Sequence, residues 1–259
     1  MKIISWLTRK HLYYTLKKHR IRFRLWQSVT HKLHLLEHLS SVEKSQLRKI
    51  ASLFLHKKTI TGVQGMIIND EVAVTIAAQA SLPILKLGLN YYSDWVEVIL
   101  YPAAFRVSQK NRDPTGVVSN QNTIVSGEAW LRGPVILSWH DIIQDIHSSV
   151  PGHNVIIHEF AHKIDMLNGR ANGLPPLHHH IKLTEWTKDF TEAYTIIQQH
   201  ISTHQQSKIN AYAATTPAEF FAVISEYFFT APSILIQNCP KVYQHLIHFY
   251  QQNPNIIVK

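Results

Sequence analysis

Apolar and polar positions along most of this chain repeat with the spacing of an α-helix, about 3.6 residues. The apolar positions from Leu33 to Leu55 fall on one helical face. The stretch that starts at Val72 is apolar on all sides and predicts a buried helix that ends near Pro83. The same periodicity predicts four later helices, over residues 154–166, 183–201, 217–229 and 241–250.

Two short segments have a different pattern. The run 96–101 is rich in β-branched residues and stops at Pro102, which predicts a strand, and the apolar run 135–139 predicts a further strand. Between them, the polar stretch Arg106 to Gly127 predicts an exposed hairpin or loop. Helices, then strands around a loop, then helices again indicate an α+β fold. We expect a mostly helical domain with a small sheet beside the helix 154–166, and no regular βαβ array.

Composition narrows the class of protein. The chain has 259 residues, of which 45% are hydrophobic and 17% are charged, so it can bury a large core and is not broadly disordered. No apolar run approaches the roughly 20 residues that cross a bilayer, which predicts no membrane span. Arg9 and Lys10 interrupt the N-terminus before a signal-peptide core can form, and Cys239 is the only cysteine. We expect a cytoplasmic protein.

The net charge of +9 is concentrated in the N-terminal segment. Residues 1–50 contain 12 Lys or Arg and two acidic residues, Glu37 and Glu43, whereas the remaining chain has 14 basic and 15 acidic residues. Such a segment could suit nucleic acid, an anionic membrane face or an acidic protein. No compact nucleic-acid motif accompanies it. We therefore predict a basic helical segment, 1–50, packed on a main domain, 51–259, with its aromatic residues inward and no direct binding of nucleic acid.

The chemically distinctive motif is His158-Glu159-Phe160-Ala161-His162. On a helix, residues four apart face the same way, so His158 and His162 can bind one metal ion. Glu159 lies one step round, where it can act as the base for a metal-bound water. In a chain with 18 histidines the pattern can arise by chance, and two core histidines bonded to backbone or water are the alternative. The apolar flanking residues indicate a buried helix and favour the metal.

A catalytic zinc ion usually has three protein ligands, and the third must lie elsewhere in the chain. Glu219 and Glu226 are seven residues apart on one helical face, and either could point toward the histidines. Thr216 to Glu219 also forms an S/T-x-x-E capping box, so the role of Glu219 stays open on the pattern alone. Asp165 and Glu226 could each contact an imidazole N–H or form an ordinary salt bridge.

The strand 135–138 precedes this helix and could present its edge to an extended peptide. An interior strand is the alternative.

Three runs together resemble the Mlc titration factor A family: 158–169, 217–229, and 127–130 with 133–135. The resemblance extends from about Gly65 to Pro232. This family consists of bacterial zinc peptidases of the gluzincin type, whose catalytic domain is similar to that of anthrax lethal factor. The resemblance implies the same fold and a bound Zn²⁺ in this chain.

Several residues acquire roles from the resemblance. His158, His162 and Glu219 would be the zinc ligands, Glu159 the general base, and Tyr212 the residue that helps to stabilise the transition state. The resemblance thus favours Glu219 as a ligand over its role as a cap. It also implies peptide substrates of the aminopeptidase type and binding to a glucose-responsive, DNA-binding repressor.

Two functions are therefore expected from the sequence. The first is a zinc-dependent peptidase, which could also regulate a repressor by binding it. The alternative is a non-catalytic regulatory protein that titrates the repressor and keeps a structural or vestigial zinc site. Glu159 favours the peptidase, because a structural site usually has four protein ligands and needs no base.

Overall fold

The computed structural model describes residues 14–103, 105–112, 118–125, 127–129, 133–148 and 150–256. Residues 14–19 are helical. The helices that follow are α1 Phe23–Thr30, α2 Ser41–Lys57, α3 Asp70–Ser81, α4 Trp139–Ser148, α5 Val155–Asp165, α6 Leu183–Ser202, α7 Pro217–Thr230, α8 Pro232–Asn238 and α9 Pro240–Tyr250. Short 3₁₀ turns lie at His34–Leu36, Leu89–Tyr92, Met166–Asn168 and Ala211–Ala214. The strands are β1 Thr59–Gly62, β2 Glu97–Tyr101, β3 Phe105–Arg112, β4 Val118–Val125, β5 Gly127–Ala129 and β6 Val135–Ser138.

A small sheet packs beside the helices in the strand order β1-β2-β6-β5. The first three strands are parallel, and β5 runs antiparallel to β6. Strands β3 and β4 form a separate antiparallel pair within the segment predicted as a hairpin or loop. The α+β prediction, mostly helical with a small sheet, is therefore confirmed. Strand β6 is interior, and the edge beside it is occupied by β5, so the strand 135–138 does not present an edge to a peptide.

Helix α7 lies at the centre of the fold. Every residue from Phe220 to Phe229 is buried, as expected for a helix that is apolar on all sides. It packs against α5, the 3₁₀ turn Ala211–Ala214, α8 and α9. The position of any side chain on α7 is therefore fixed by the core.

A cluster of aromatic rings holds α5 against the opposite side of the core. The ring of Phe160 lies 5.7 Å from that of Phe54, 5.1 Å from that of Tyr92 and 5.5 Å from that of Trp95, measured between centroids. The contacts with Tyr92 and Trp95 are edge-to-face, and such contacts stabilise beyond the area they bury. Helix α5 is thus packed on two sides, against this cluster and against α7.

The N-terminal helices share the core of the remaining chain. Trp26 and Val29 of α1 belong to the same buried cluster as the residues of α5 and α7. Arg22 and Arg24 are exposed, and so is Phe23, at 56%; the expectation that the aromatic residues all point inward is wrong there. The boundary proposed at residue 50 falls within α2, and the division into two domains stays a prediction. None of the described helices combines the length and the apolar character needed to cross a bilayer.

Candidate metal centre

Helix α5 places the two histidines of the motif on one face. It begins after Asn154, whose side-chain oxygen accepts a hydrogen bond from the Ile157 N–H at 2.8 Å, the bond that an N-cap residue typically makes. His158 and His162 follow one turn apart, and their Nε2 atoms lie 3.2 Å from each other. Both side chains are largely buried, at 13% and 10% exposure.

Helix α7 brings Glu219 to the same point. Its Oε2 lies 3.0 Å from His158 Nε2 and 3.3 Å from His162 Nε2. The backbone N–H of Glu219 donates to the Thr216 hydroxyl at 3.1 Å, so Thr216 does cap the helix. In α2, by contrast, the Glu43 carboxylate bonds back to the Ser40 backbone and completes a capping box. The Glu219 carboxylate faces the histidines instead.

These three side chains are suited to holding a metal ion. In a tetrahedral site with bonds of about 2.0–2.1 Å, ligand atoms lie roughly 3.3 Å apart, close to the observed 3.0–3.3 Å. Two imidazoles and one carboxylate also leave the fourth position free, as catalytic zinc sites do. Among the residues that the structure describes, this is the one group of three such side chains close enough to share an ion.

Glu226 fixes the orientation of His158. Its Oε1 accepts a hydrogen bond from His158 Nδ1 at 2.8 Å, and its Oε2 accepts one from the Asn154 N–H at 2.5 Å. Because Nδ1 then carries the proton, the lone pair of the imidazole lies on Nε2, toward the ion site. Of the two roles considered for Glu226, the structure thus favours the contact to an imidazole N–H.

Asp165 has a different set of partners. It is fully buried, and its Oδ2 accepts from the backbone N–H groups of Asn172 and Gly173 at 2.8 and 2.7 Å. No hydrogen bond joins it to an imidazole among the described residues. Gly173 has φ +79, and a Cβ there would lie 2.4 Å from the Pro217 carbonyl oxygen. Asp165 therefore holds the loop that packs against the first turn of α7, close to Glu219.

Glu159 is buried beside the three donor atoms, at 4% exposure. Its Oε2 has no hydrogen-bond partner among the described residues. Burial raises the pKa of Glu159 to about 7, although the charges of His158 and His162 oppose that rise. A carboxyl group with such a pKa can accept and return a proton near neutral pH.

Tyr212 lies on the 3₁₀ turn Ala211–Ala214, on the open side of the centre. Its ring centroid is 5.9 Å from that of His158, and the side chain is 51% exposed. Burial, together with the charge of Glu219, raises the pKa of Tyr212 to about 12. The phenol therefore remains protonated at neutral pH and can donate a hydrogen bond.

Two residues that contact this region have no signal in the sequence. Asp145, on α4, accepts from the first N–H of α5, that of Val155, at 2.8 Å. Tyr227 follows Glu226 on α7, and its hydroxyl contacts the segment that leads to Tyr212. Asp145 belongs to no recognisable motif, and Tyr227 lies within the run 217–229 without a spacing that marks a role for it. The packing of distant elements brings both residues here.

Comparison with known proteins agrees with this geometry. The profile of a family described as glucose-regulated metallo-peptidase M90 matches residues 4–251. Proteins named Mlc titration factor A are similar over most of their length. That of Klebsiella pneumoniae subsp. pneumoniae is 41% identical over 85% of this chain and 83% of its own length, and that of Enterobacter sp. strain 638 is 42% identical over the same shares. That of Escherichia coli O127:H6 is 41% identical over 88% and 86%. The chain therefore belongs to the glucose-regulated metallo-peptidase family M90, together with the Mlc titration factor A proteins, as its motifs indicated.

Proposed function

We propose that this protein is a zinc-dependent peptidase of the gluzincin type that acts on short peptides in the cytoplasm. The observation that carries the proposal is the buried Glu159 carboxyl beside His158, His162 and Glu219. A site that only stabilised the fold would not need a base there, and it would usually have a fourth protein ligand. The family resemblance supports zinc as the metal and aminopeptidase-type substrates.

Each side chain of the centre has a distinct role in the proposed hydrolysis. Zinc, when bound to His158, His162 and Glu219, supplies Lewis acidity that lowers the pKa of water to about 7. Glu159 takes the proton of the attacking water and returns it to the leaving amine. Tyr212 donates a hydrogen bond from its phenolic hydroxyl to the carbonyl oxygen, which becomes negatively charged as the carbonyl carbon is attacked.

A second function rests on the relatives. They carry the name Mlc titration factor A, and the resemblance implies that a glucose-responsive repressor is bound. Repressor binding is compatible with peptidase activity, because it can use a surface away from the metal centre. The two functions are separable by experiment.

The substitution Glu159→Gln tests the proposal. It conserves volume and leaves the three proposed ligands in place, but the amide cannot accept the proton, so turnover should fall by roughly 10² or more. Zinc content, melting temperature and cleavage of short unblocked peptides are measured on the same preparations. Glu192→Gln makes the same chemical change at a half-exposed position on α6 and should alter none of them.

Two outcomes would contradict the peptidase. Undiminished hydrolysis by a zinc-replete Glu159→Gln protein would remove Glu159 from the mechanism. A parent protein that binds zinc and repressor but cleaves no member of a peptide library would favour the purely regulatory function.

A further inference from the structure

The segment that carries Tyr212 receives little support from the core. Between the end of α6 and the start of α7, most residues from 203 to 216 are exposed, and Ile209 and Ala213 are its buried positions. The Tyr212 ring is half exposed. The phenol itself interacts with Glu219, and hydrogen bonds to the backbone hold the exposed segment that carries it.

One of these bonds comes from a buried tyrosine on α7. The hydroxyl of Tyr227 donates to the Lys208 carbonyl at 3.0 Å and accepts from the Asn210 N–H at 3.1 Å. The side-chain oxygen of Asn210 accepts in turn from the Tyr212 N–H at 2.9 Å. Two residues thus connect the core helix to the backbone of Tyr212.

The other end of the turn has its own support. The Ala214 carbonyl accepts from the Tyr194 hydroxyl at 3.1 Å and from Gln198 Nε2 at 3.2 Å, both on α6. The side that precedes Tyr212 depends on Tyr227 instead. Removing the Tyr227 hydroxyl should therefore release one end of the turn while the other stays in place.

The Tyr227 ring is itself rigidly placed. It is 4% exposed, and it fills the space beside Gly152, where a Cβ would lie 2.2 Å from the ring carbon that bears the hydroxyl. Gly152 also has φ +75, a conformation that side chains other than glycine rarely adopt. The ring thus lies between α7 and the loop that leads into α5, and its hydroxyl cannot move freely.

We propose that Tyr227 is a positioning residue for peptide hydrolysis: through Asn210, its hydroxyl fixes the segment from which Tyr212 reaches the reacting carbonyl. Tyr227 acts without touching the substrate. This inference rests on the proposed peptidase function, in which Tyr212 stabilises the transition state. Its neighbour Glu226 orients His158, so consecutive residues of α7 would align both sides of the centre.

The kinetic test uses Tyr227→Phe, Tyr212→Phe and the double variant. Misplacing a reacting group by about 1 Å can cost 10²-fold, so Tyr227→Phe should lower kcat by roughly 10- to 100-fold with KM and zinc content little changed. In the Tyr212→Phe background the same substitution should cause no further loss of kcat, because its effect passes through Tyr212.

A matched control is available on α9. The Tyr243 hydroxyl, equally buried, donates to Asn253 Oδ1 at 2.6 Å and accepts from the Asn255 N–H at 3.3 Å, away from the metal centre. Tyr243→Phe should lower the melting temperature to a similar extent and leave kcat unchanged. Equal losses of kcat in the two tyrosine variants would mean that Tyr227 is merely structural and would overturn the proposal.

Amide hydrogen exchange tests the connection from Tyr227 to the Tyr212 segment and does not depend on peptidase activity. The amides of residues 208–212 should exchange faster in Tyr227→Phe and not in Tyr243→Phe. If the parent protein cleaves no peptide, the proposed function fails, while faster exchange would still support the anchoring of the Tyr212 segment. Unchanged exchange, or a loss of kcat that adds to that of Tyr212→Phe, would overturn the role assigned to Tyr227.

Discussion

The substitution Glu226→Gln perturbs the metal centre without touching a proposed ligand. Both oxygens of this buried carboxylate are used, one by His158 Nδ1 and the other by the Asn154 N–H. Glutamine has nearly the same volume but only one acceptor oxygen, and its NH₂ group would face a donor. The variant therefore loses a negative charge and one of the two hydrogen bonds.

The size of the effect follows from these two losses. Partners of ligating histidines typically contribute 10- to 100-fold to metal affinity, which is about 1.4–2.8 kcal/mol. A buried donor left without a partner costs about 1–3 kcal/mol of stability. We expect the zinc Kd of Glu226→Gln to rise by roughly 10- to 100-fold, and the metal-free protein to unfold more easily.

Zinc affinity is measured by competition with a chelator, and stability by unfolding of the metal-free proteins. Glu43→Gln is the control, because Glu43 also accepts from a backbone N–H, that of Ser40, but lies outside the centre. Burial alone would raise the pKa of Glu43, yet the bonds from Lys86 and Ser40 lower it to about 2. Its stabilisation is therefore present above its ordinary pKa of 4.5 and is lost as the pH falls toward 2.

At neutral pH the control should lose stability and keep its zinc affinity, and the difference in stability between the control and the parent should shrink as the pH falls from 4.5 toward 2. If Glu226→Gln behaves like the control, with normal zinc affinity and lower stability, Glu226 would be only a cap for the backbone of Asn154. The claim that Glu226 orients His158 for metal binding would then be refuted.

The remaining predictions concern the third ligand and the N-terminal segment. Glu219→Ala should reduce bound zinc below one ion per chain. Thr216→Ala should retain zinc and lose only the helix cap, which costs about 1 kcal/mol of stability and lowers the melting temperature. The reverse pattern in metal analysis would place the third ligand elsewhere. Deletion of residues 1–30 removes Trp26 and Val29 from the core, so solubility or thermal stability should fall. Tight, sequence-specific DNA binding that is lost on this deletion would contradict the prediction that the N-terminal segment serves to pack on the main domain.

Sequence periodicity was sufficient to predict the long helices and the placement of His158 and His162 on one face of a helix, because both depend on spacing within one element. The alternatives for Glu219 show where it was insufficient. Its backbone N–H is capped by Thr216 while its carboxylate faces His158 and His162. The helix cap uses the backbone N–H of Glu219, whereas a metal ligand would use its side-chain carboxylate. One residue can do both, so the sequence pattern alone could not decide between the two roles.

Pairings between distant elements were not predictable in this way. Strands β1 and β5 have only four and three residues, too few to show a period of two. The parallel pairing of β1 with β2 depends on how α3, which lies between them in the chain, packs. The antiparallel pairing of β5 with β6 depends on the short connection between them. Helix α4 likewise follows β6 without a break, and the role of Asp145 at the start of α5 depends on that connection.

The metal centre depends on the register between two antiparallel helices. Asn154 and His158, early in α5, meet Glu226, late in α7, whereas His162, late in α5, meets Glu219, early in α7. A shift of α7 along α5 by one turn, about 5.4 Å, would separate both glutamates from their partners at once. The continuous buried stretch of α7 from Phe220 to Phe229 opposes such a shift, because the apolar side chains would leave their places in a close-packed interior. The residues that form the core of this protein therefore also set the geometry of its chemistry.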